Sequence, residues 1–497
     1  MFLRLFWLRQ DHLTVSIIAA LAAVFLGALD QTVIVTVLPA VITDLEIPFD
    51  RIDQAAWIVS GYLLGYTVSL PFMGRFADLK GRRVSFALAL AAFALGSAGC
   101  AVSGSLTVLI AARIVQAAGG GALLPVAIAA MSDRYPAQRR VLVIGLVGAV
   151  AEAGGVLGPL YGAGIVQWLT WRWIFWLNIP IALVLLAGIQ LGPPELSRPY
   201  GRLDRVGAGI LAAGLAAFVV GLSHGAVTVA ELDLRPVLLV LAAVALVAFV
   251  RYEQRVGDPL IDLRLLRQAG LSAALAGGFV LGVALIAAMV DIPLYASTVR
   301  GSSAAEGGLL LMRLTALIPV GAVAGGVAGG RLGLSSPTVL GFITSGAGLT
   351  LMSRWGIDPS EGFLWLSLGL TGFGLGLLIA PLSTAAVNYG GTGREASSAA
   401  MFNVARLVGM TVGLSALTAW GLDRFDSLAA AIPLPLPIVG ESAATSQERV
   451  TQFSAAIVQS GAEVYRELFL AAAAFCVVGV VIAIWLGRSG ASASSAG

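Results

Sequence analysis

Long apolar runs alternate with short polar segments along the whole chain. Each run holds about 20 residues or more with few charges, the length that an α-helix needs to cross a hydrocarbon core about 30 Å thick. We predict a membrane helix in each of fourteen such runs. They lie at 13–40, 54–74, 84–103, 106–131, 141–166, 172–191, 206–226, 236–252, 271–298, 304–330, 336–354, 362–388, 396–422 and 464–487.

The order of the runs predicts an all-α membrane protein with two six-helix halves and two inserted helices. We place the N-terminal half at 1–200, the linker with the two inserted helices at 201–262, and the C-terminal half at 263–490. A faint repeat supports the halves, because the loops GRFADLKGRR (74–83) and GRLGLSSP (330–337) both begin Gly-Arg at the end of a run. The second copy lacks the acid and the basic cluster. Repeated halves are a known transporter architecture.

The basic residues predict the orientation. With the N-terminus inside, nineteen Lys and Arg side chains fall in cytoplasmic segments and eight fall in outer segments. Because basic residues favour the cytoplasmic side of a bacterial inner membrane, we expect both termini in the cytoplasm. No small-residue cleavage site closes the first run, so we expect it to remain a membrane helix.

The composition excludes a soluble protein. The chain is 58% hydrophobic and 11% charged, with a mean hydropathy of +0.92, whereas soluble domains carry about 25% charged residues. The net charge is only +3 and lies mostly in loops, so we expect no nucleic-acid partner. The one lysine, Lys80, is followed by Gly81, which excludes ATP hydrolysis by a P-loop in this chain.

We expect no metal, cofactor or enzymatic site. The two histidines are far apart and both cysteines lie inside apolar runs, so neither residue type offers metal-ligand spacing. These residues are His12, His224, Cys100 and Cys476. An integral-membrane enzyme is therefore the least favoured class of function.

A long outer segment separates the last two runs. Between Trp420 and Val464 lie about forty residues that contain LPLP (434–437) and stretches with helical spacing. Loops longer than about 12–15 residues are commonly functional or disordered. We expect the flanking helices to continue past the membrane as a periplasmic extension at about 421–463.

Three acids and three bases lie well inside the runs, away from their ends, and we expect these six to be buried: Asp30, Glu152, Asp291, Arg113, Arg313 and Arg406. Glu152 and Arg406 each lie about 16 Å from the cytoplasmic end of their run, which is half the thickness of the hydrocarbon core. An ionisable group at that depth is a functional hypothesis, and we expect Asp30, Glu152, Arg406 and Arg113 to form a proton-coupling charge network. In it Asp30 is the expected proton carrier, and Glu152 paired with Arg406 is either a second carrier or a central lock. The alternative is a static network of ion pairs, with Arg113 serving a structural role.

The loop at 74–83 predicts a conformational latch. Asp78 ends a helix, where its carboxylate can face the positive N-terminus of a neighbouring helix. The arginines can pair with Asp78 or with lipid phosphates, and the glycines allow close packing and a tight turn. The latch residues are Gly74, Arg75, Asp78, Gly81, Arg82 and Arg83. The alternative is a solvated loop that only follows the rule of positive charge on the cytoplasmic side.

The fifth run, GAVAEAGGVLGPLYGAG (148–164), is rich in small residues that let helices approach closely. Gly154, Gly158 and Gly162 recur at helical spacing, and Pro159 interrupts the backbone hydrogen bonds and predicts a bend.

Several motifs resemble those of the major facilitator superfamily. GRFADLKGRR resembles its signature loop, and RIVQAAGGG (113–121) resembles its fourth-helix arginine motif. GAVAEAGGVLGPLYGAG (148–164) resembles the antiporter motif that marks exporters, although Glu152 is a departure from it. LGALDQTVIVTVLP (26–39) resembles the Asp-bearing first helix of the fourteen-helix drug:proton antiporter branch. The resemblance implies the major facilitator fold and proton-coupled export.

Other stretches resemble a narrower group, the mycobacterial triacylglyceride exporters that work with a periplasmic lipoprotein. They are EIPFDRIDQAAWIVSGYLLGY (46–66), EAGGVLGPLYG (152–162), WRWIFWLNIP (171–180) and SALTAWGLDRF (415–425). The resemblance implies a central charge set of Asp30, Glu152 and Arg406. It also implies extended outer helices that help the substrate to leave laterally.

We therefore expect a proton-coupled secondary exporter that works by alternating access. Its expected partners are protons, membrane lipid, a lipophilic substrate such as a triacylglyceride, and a periplasmic lipoprotein, and we expect a monomer. A polyspecific multidrug:proton antiporter is the alternative, since an apolar cavity binds many lipophiles. A proton-coupled uptake carrier for metabolites is disfavoured, because the central helices hold few polar side chains.

Overall fold

A computed structural model of the chain describes residues 2–47, 57–192, 203–222, 228–229, 232–261, 264–391, 393–435 and 442–494. Within these ranges the fold consists of fifteen α-helices, a 3-10 turn at Leu265–Arg267, and one antiparallel pair of two-residue strands, β1 (Thr228–Val229) and β2 (Leu232–Asp233). The helices are α1 (Phe2–Asp44), α2 (Trp57–Lys80), α3 (Arg82–Ala101), α4 (Leu106–Arg134), α5 (Ala137–Trp168), α6 (Arg172–Gln190), α7 (Arg205–Leu222), α8 (Arg235–Glu253), α9 (Ala269–Thr298), α10 (Ala304–Thr315), α11 (Leu317–Leu332), α12 (Ser335–Met352), α13 (Glu361–Tyr389), α14 (Glu395–Ala429) and α15 (Ala443–Ser494).

Every apolar run predicted from the sequence contains a helix. Within the described ranges, eleven helical stretches are long and apolar enough to cross a membrane. The chain is therefore a multi-pass membrane protein. The count of fourteen membrane helices and the cytoplasmic position of the termini stay predictions.

The run at 304–330 forms two helices, α10 and α11, which meet at Ala316. The sequence analysis expected one continuous helix there. Pro319 explains the interruption, because it has no N–H to donate to the carbonyl of Thr315 and its ring crowds that carbonyl. The two helices together still form one apolar stretch of membrane-spanning length, Glu306–Leu332.

The helices pack in two groups. In the first, α1 packs on α5 and α6, and α4 packs on α2 and α3. In the second, α9 packs on α14 and α15, and α13 packs on α11 and α12. Helices α7 and α8 pack on each other, and α7 also packs on α2. The limits of the expected halves stay a prediction, since residues 193–202, where the first half would end, lie outside the described ranges.

The two groups meet mainly through α2 with α14 and α5 with α11. Small residues allow this close approach. A methyl group added at Gly145 would lie 2.8 Å from the carbonyl oxygen of Ala322, and one added at Gly74 would lie 2.9 Å from that of Ala396. Gly145 near the start of α5, Gly74 near the end of α2 and Ala396 at the start of α14 lie toward the helix ends that the arginine distribution assigns to the cytoplasm. The groups are therefore closed against each other at those ends.

Helices α14 and α15 are longer than a membrane requires. With 35 and 52 residues, they span roughly 50 and 80 Å at 1.5 Å per residue, against a hydrocarbon core of about 30 Å. Arg424 joins them by a two-pronged ion pair to Glu467, with nitrogen–oxygen distances of 3.0 and 2.9 Å. The helices thus continue past Trp420 as the sequence analysis expected. Residues 436–441 lie outside the described ranges, and the periplasmic position of the extension stays a prediction.

We predict that Gly145→Val prevents the two groups from closing, because the added side chain collides with the backbone of α11. Cysteine labelling at the predicted cytoplasmic ends measures the change, and labelling should increase. Gly164→Val on the same helix is the matched control, since a methyl group there meets no atom within 4 Å. Equal labelling in the two variants would contradict the prediction.

Candidate functional site

Asp30 lies at the centre of a buried polar network in the first group. Its side chain on α1 and that of Arg113 on α4 are both fully buried, and Arg113 Nη1 donates to Asp30 Oδ2 at 2.6 Å. Gln116 Nε2 and Asn178 Nδ2 donate to Asp30 Oδ1 at 3.0 and 2.7 Å. An ionised carboxylate is tolerated out of water only with such partners.

The same network extends to helices α2 and α3. The Arg113 guanidinium lies 4.1 Å from the centre of the Tyr62 ring, a cation–π contact, and the Tyr62 hydroxyl donates to the carbonyl of Gly27. Gln116 also donates to Ser97 Oγ at 2.8 Å. The sequence analysis missed Gln116, Asn178 and Tyr62. Amide side chains inside apolar runs are the signal that could have identified the first two.

A second ion pair joins the two groups of helices. Arg406 Nη1 on α14 lies 2.9 Å from Glu152 Oε1 on α5, and the side chains are 15% and 18% exposed. Tyr66 on α2 lies within electrostatic reach of both residues. The two mid-depth charges found in the sequence therefore meet, and they bridge the interface between the groups.

Asp78 caps the N-terminus of α14. Its carboxylate accepts hydrogen bonds from the backbone N–H groups of Ala396 and Ser397 at 3.0 and 2.9 Å, and from the Ser397 hydroxyl at 2.5 Å. A carboxylate at a helix N-terminus is stabilised by the helix dipole and by the unpaired N–H groups there. Asp78 therefore lies where the sequence analysis placed it, facing the start of a neighbouring helix.

Arg82 binds three carboxylates around this cap. It lies 2.5 Å from Asp78, 3.0 Å from Asp133 and 3.2 Å from Glu395, so it connects α2 and α4 to the start of α14. Gly81 separates α2 from α3 with a φ of 92°, which favours glycine. The whole loop is thus fixed against the second group of helices.

The remaining latch residues lie close by. Arg75 is 5% exposed, and Asp258 and Glu253 of the linker are within its electrostatic reach. Gly74 lies against α14, where a methyl group would come within 2.8 Å of Ala400 Cβ. Arg83 is the second residue of α3, and it is not free of interactions.

The glycines of the fifth run bring α5 against α1. A methyl group added at Gly154 would lie 2.5 Å from the carbonyl oxygen of Phe25, and one added at Gly158 would lie 2.6 Å from that of Leu29. Gly162 is similarly close to Val33. No larger residue fits at these three positions without moving the helix that carries Asp30.

Pro159 lies inside α5 and leaves one carbonyl without its usual donor. A proline at this position cannot donate to the carbonyl of Gly155, four residues earlier. The Thr32 hydroxyl on α1 donates to that carbonyl at 2.9 Å. A partner helix therefore satisfies the backbone group that the proline frees, as membrane helices require.

The last two charges found in the sequence lie elsewhere. The position of Arg313 inside an apolar run predicted a fully buried side chain, but the structure leaves this side chain partly exposed. Its side chain is 23% exposed and pairs with Glu361 at 2.6 Å, because α10 ends near the start of α13. Asp291 on α9 is 7% exposed, and among the described residues its Oδ2 has no hydrogen-bond partner. No ion pair joins either residue to Asp30 or Glu152 within the described part of the chain.

No group of three or more metal-ligating side chains occurs within the described ranges. The site therefore consists of two ion pairs and a capped helix N-terminus. One pair lies inside the first group, and the other pair and the cap join the two groups.

A family model described as Major Facilitator Superfamily matches residues 20–414, and the chain belongs to this superfamily. It is a multi-pass protein of the bacterial inner membrane.

The fold agrees with that of solved members. The human organic anion transporter MFSD10 matches with a TM-score of 0.63 at 16% identity, over 95% of this chain and 99% of that one. The proton:xylose symporter XylE matches with a TM-score of 0.60 at 14% identity, over 94% of this chain and 95% of that one.

Curated relatives match over most of the chain. The triacylglyceride transporter of Mycolicibacterium hassiacum is 36% identical over 96% of this chain and 92% of its own. That of Mycobacteroides abscessus is 38% identical over 85% of this chain and 86% of its own. That of Mycobacterium tuberculosis is 34% identical over 95% of this chain and 94% of its own.

We predict that Asp78→Asn destabilises the closed arrangement of the cytoplasmic ends. The amide keeps the size of the side chain but removes the charge that faces the start of α14, an effect of up to about 2 kcal/mol in partly buried sites. Spin labels on the ends of α2 and α14 measure the distance, which should increase. Asp133→Asn is the matched control, because Asp133 also binds Arg82 but does not cap α14. An unchanged distance distribution in Asp78→Asn would exclude the latch.

Proposed function

We propose that the protein is a proton-coupled exporter of lipids, with triacylglycerides as the favoured substrate class, that works by alternating access. The substrate class is inferred from the near full-length similarity of the chain to relatives named triacylglyceride transporters, at 34–38% identity. The observation that supports the coupling mechanism is the ion pair between Glu152 and Arg406, which joins the two groups of helices.

We assign the arrangement described above to the state of the proposed cycle in which the cytoplasmic ends are closed. The contacts at Gly74 and Gly145 and the Asp78 cap close the ends assigned to the cytoplasm. For the transporter to open inward, these contacts and the Glu152–Arg406 pair must separate together, because all of them join the same two groups. The inward state then receives lipid from the membrane.

Protonation supplies the switch. A proton on Glu152 cancels the charge that attracts Arg406, and the tie between α5 and α14 weakens. A triacylglyceride has no charge of its own that could replace the carboxylate. Asp30 serves as a second proton carrier in the first group, and Arg113 is its partner in the ionised state. Both carboxylates thus couple proton entry to the change of state.

The extension formed by α14 and α15 serves the release of the lipid. Because the substrate is insoluble in water, it has to leave along an apolar surface toward an acceptor. The two helices continue beyond the length of a membrane span and remain joined by Arg424 and Glu467. A periplasmic lipoprotein is the acceptor that we propose, and the transporter itself acts as a monomer.

We predict that Asp30→Asn and Glu152→Gln each reduce gradient-driven export by about tenfold or more, a factor that corresponds to about 1.4 kcal/mol in the barrier. Neither amide can carry the coupled proton. Export from proteoliposomes with an imposed pH gradient measures the effect, and downhill exchange without a gradient should persist. Asp44→Asn is the matched control, because Asp44 lies on the same helix as Asp30 and pairs with Arg172 at its outer end.

If either amide variant exports lipid with the full response to the gradient, that residue is not a proton carrier. Its ion pair is then a static part of the bundle.

We predict that replacing residues 425–460 by a short flexible link impairs the release of a triacylglyceride more than the efflux of a small cationic dye. The dye can leave through water, whereas the lipid needs an apolar path. Both substrates are measured in the same proteoliposome preparation. Equal losses for the two substrates would leave the extension without a specific role in lipid release.

A further inference from the structure

A small cavity lies beside the ion pair that joins the two groups of helices. Its volume is about 10 Å³, and α4, α5, α13 and α14 form its walls. Apart from Glu152 and Arg406, its lining residues on α5 and α14 precede these two charges in the chain. The cavity therefore lies on the side of the pair that faces the closed ends of the bundle.

Two polar groups on the cavity wall have no partner in the described part of the chain. Ser383 on α13 is 2% exposed and its hydroxyl makes no hydrogen bond. Nε of Arg406 is also buried without a partner, although Nη1 binds Glu152. A buried polar group without a partner is unfavourable and indicates a missing bound water or ion.

Two other buried serines in the membrane helices satisfy their hydroxyl groups within their own helix. Ser367, also on α13, donates to the carbonyl of Phe363 at 2.8 Å, and Ser345 donates to that of Gly341 at 2.8 Å. Ser383 makes no such bond to the carbonyl four residues earlier. Its hydroxyl is therefore available to a ligand in the cavity.

The size and chemistry of the cavity fit one water molecule. A water needs about 10–15 Å³ of space for its centre and two to four polar partners. The lining residues carry a donor at Arg406 Nε, a carboxylate at Glu152 and a hydroxyl at Ser383. Asn403 adds an amide whose Nδ2 already donates to the carbonyl of Ala399, and the other lining residues are apolar. A larger ligand does not fit in this volume, and a lone anion would face the Glu152 carboxylate.

We propose that this cavity is the binding site of one ordered water, which accepts from Arg406 Nε and donates to Glu152 and Ser383 Oγ. The bound water hydrogen-bonds to both members of the Glu152–Arg406 pair, on the side of the pair that faces the closed ends. Ser383 is then a positioning residue, since it acts on Glu152 through the water.

The consequence for transport rests on the proposed function. As the closed ends begin to open, and before α5 and α13 have moved apart, the Glu152 carboxylic acid gives its proton to the oxygen of this water, while the water gives one of its own protons to solvent that enters from the opening ends. The products are a carboxylate, an unchanged water and a proton in solution. The water thus provides the first step of proton release, and Ser383 holds it in place.

The test compares Ser383→Val, which fills the cavity and removes the hydroxyl, with Ser383→Ala, which removes only the hydroxyl. Thr384→Val is the matched control. Thr384 is the next residue on α13 and is also a buried hydroxyl without a partner in the described ranges, but it does not line the cavity. Thermal unfolding of each purified variant identifies any that fails to fold.

The first readout is an experimental density map of the full chain at a resolution that shows ordered waters. We expect a peak within hydrogen-bond distance of Ser383 Oγ and Arg406 Nε in the wild-type protein and in Thr384→Val, and none in Ser383→Val. An empty cavity in the wild-type map would overturn the proposal. This readout does not depend on what the protein transports.

The second readout is the rate of proton release into proteoliposomes during lipid export. We expect a decrease of severalfold in Ser383→Ala and Ser383→Val, with unchanged lipid binding, and no change in Thr384→Val. A wild-type rate in Ser383→Val would overturn the role in proton release. If the wild-type protein itself shows no gradient-driven export, the proposed function fails while the density map still decides whether the water site exists.

Discussion

The ion pair between Glu152 and Arg406 is the interaction on which the proposed mechanism depends. It places opposite charges about halfway through the bundle, one on each of the two groups of helices. Removing one partner of a buried pair costs about 3–5 kcal/mol, because the other charge is left unpaired. Protonation of Glu152 removes the cost of an unpaired charge on the acid. Arg406 stays charged, so its guanidinium has to be hydrated when the pair separates. The Arg406 side chain is 15% exposed, so it is less enclosed by the bundle than the fully buried Arg113. The Asp30–Arg113 pair, by contrast, is fully buried and tied to three more side chains, so it holds together within one group.

The other contacts between the groups follow from this constraint. A charged pair at mid-depth keeps its geometry only if the backbones around it approach closely, and the glycines at Gly145 and Gly74 permit that approach. The Asp78 cap adds a second electrostatic contact nearer the helix ends. Small residues, a helix dipole and an ion pair thus all join the two groups. In the proposed cycle one movement breaks all three kinds of contact, so a change of charge at Glu152 affects the stability of the others.

Much of this arrangement could be predicted from the sequence, and the reasons differ from part to part. The helices were predictable because apolar length is a local property of the chain. The contact of Asp78 with a helix start was predictable from its place at a helix end, but only the fold identifies that helix as α14. Asn178 lies 148 residues from Asp30, so its hydrogen bond to the carboxylate could not be read from local spacing. The break at Ala316 was missed although Pro319 marks it, because the apolar run continues through it. The exposure of Arg313 was also mispredicted, since it depends on where α10 ends against α13.

Extraction of a labelled triacylglyceride from proteoliposomes by the unmodified protein, with and without an imposed pH gradient, measures whether proton entry drives lipid export. Extraction into an external lipid acceptor should rise when the gradient is imposed and fall when a protonophore dissipates it. Extraction that does not respond to the gradient, while a small cationic dye does, would contradict proton-coupled lipid export and identify a multidrug antiporter instead.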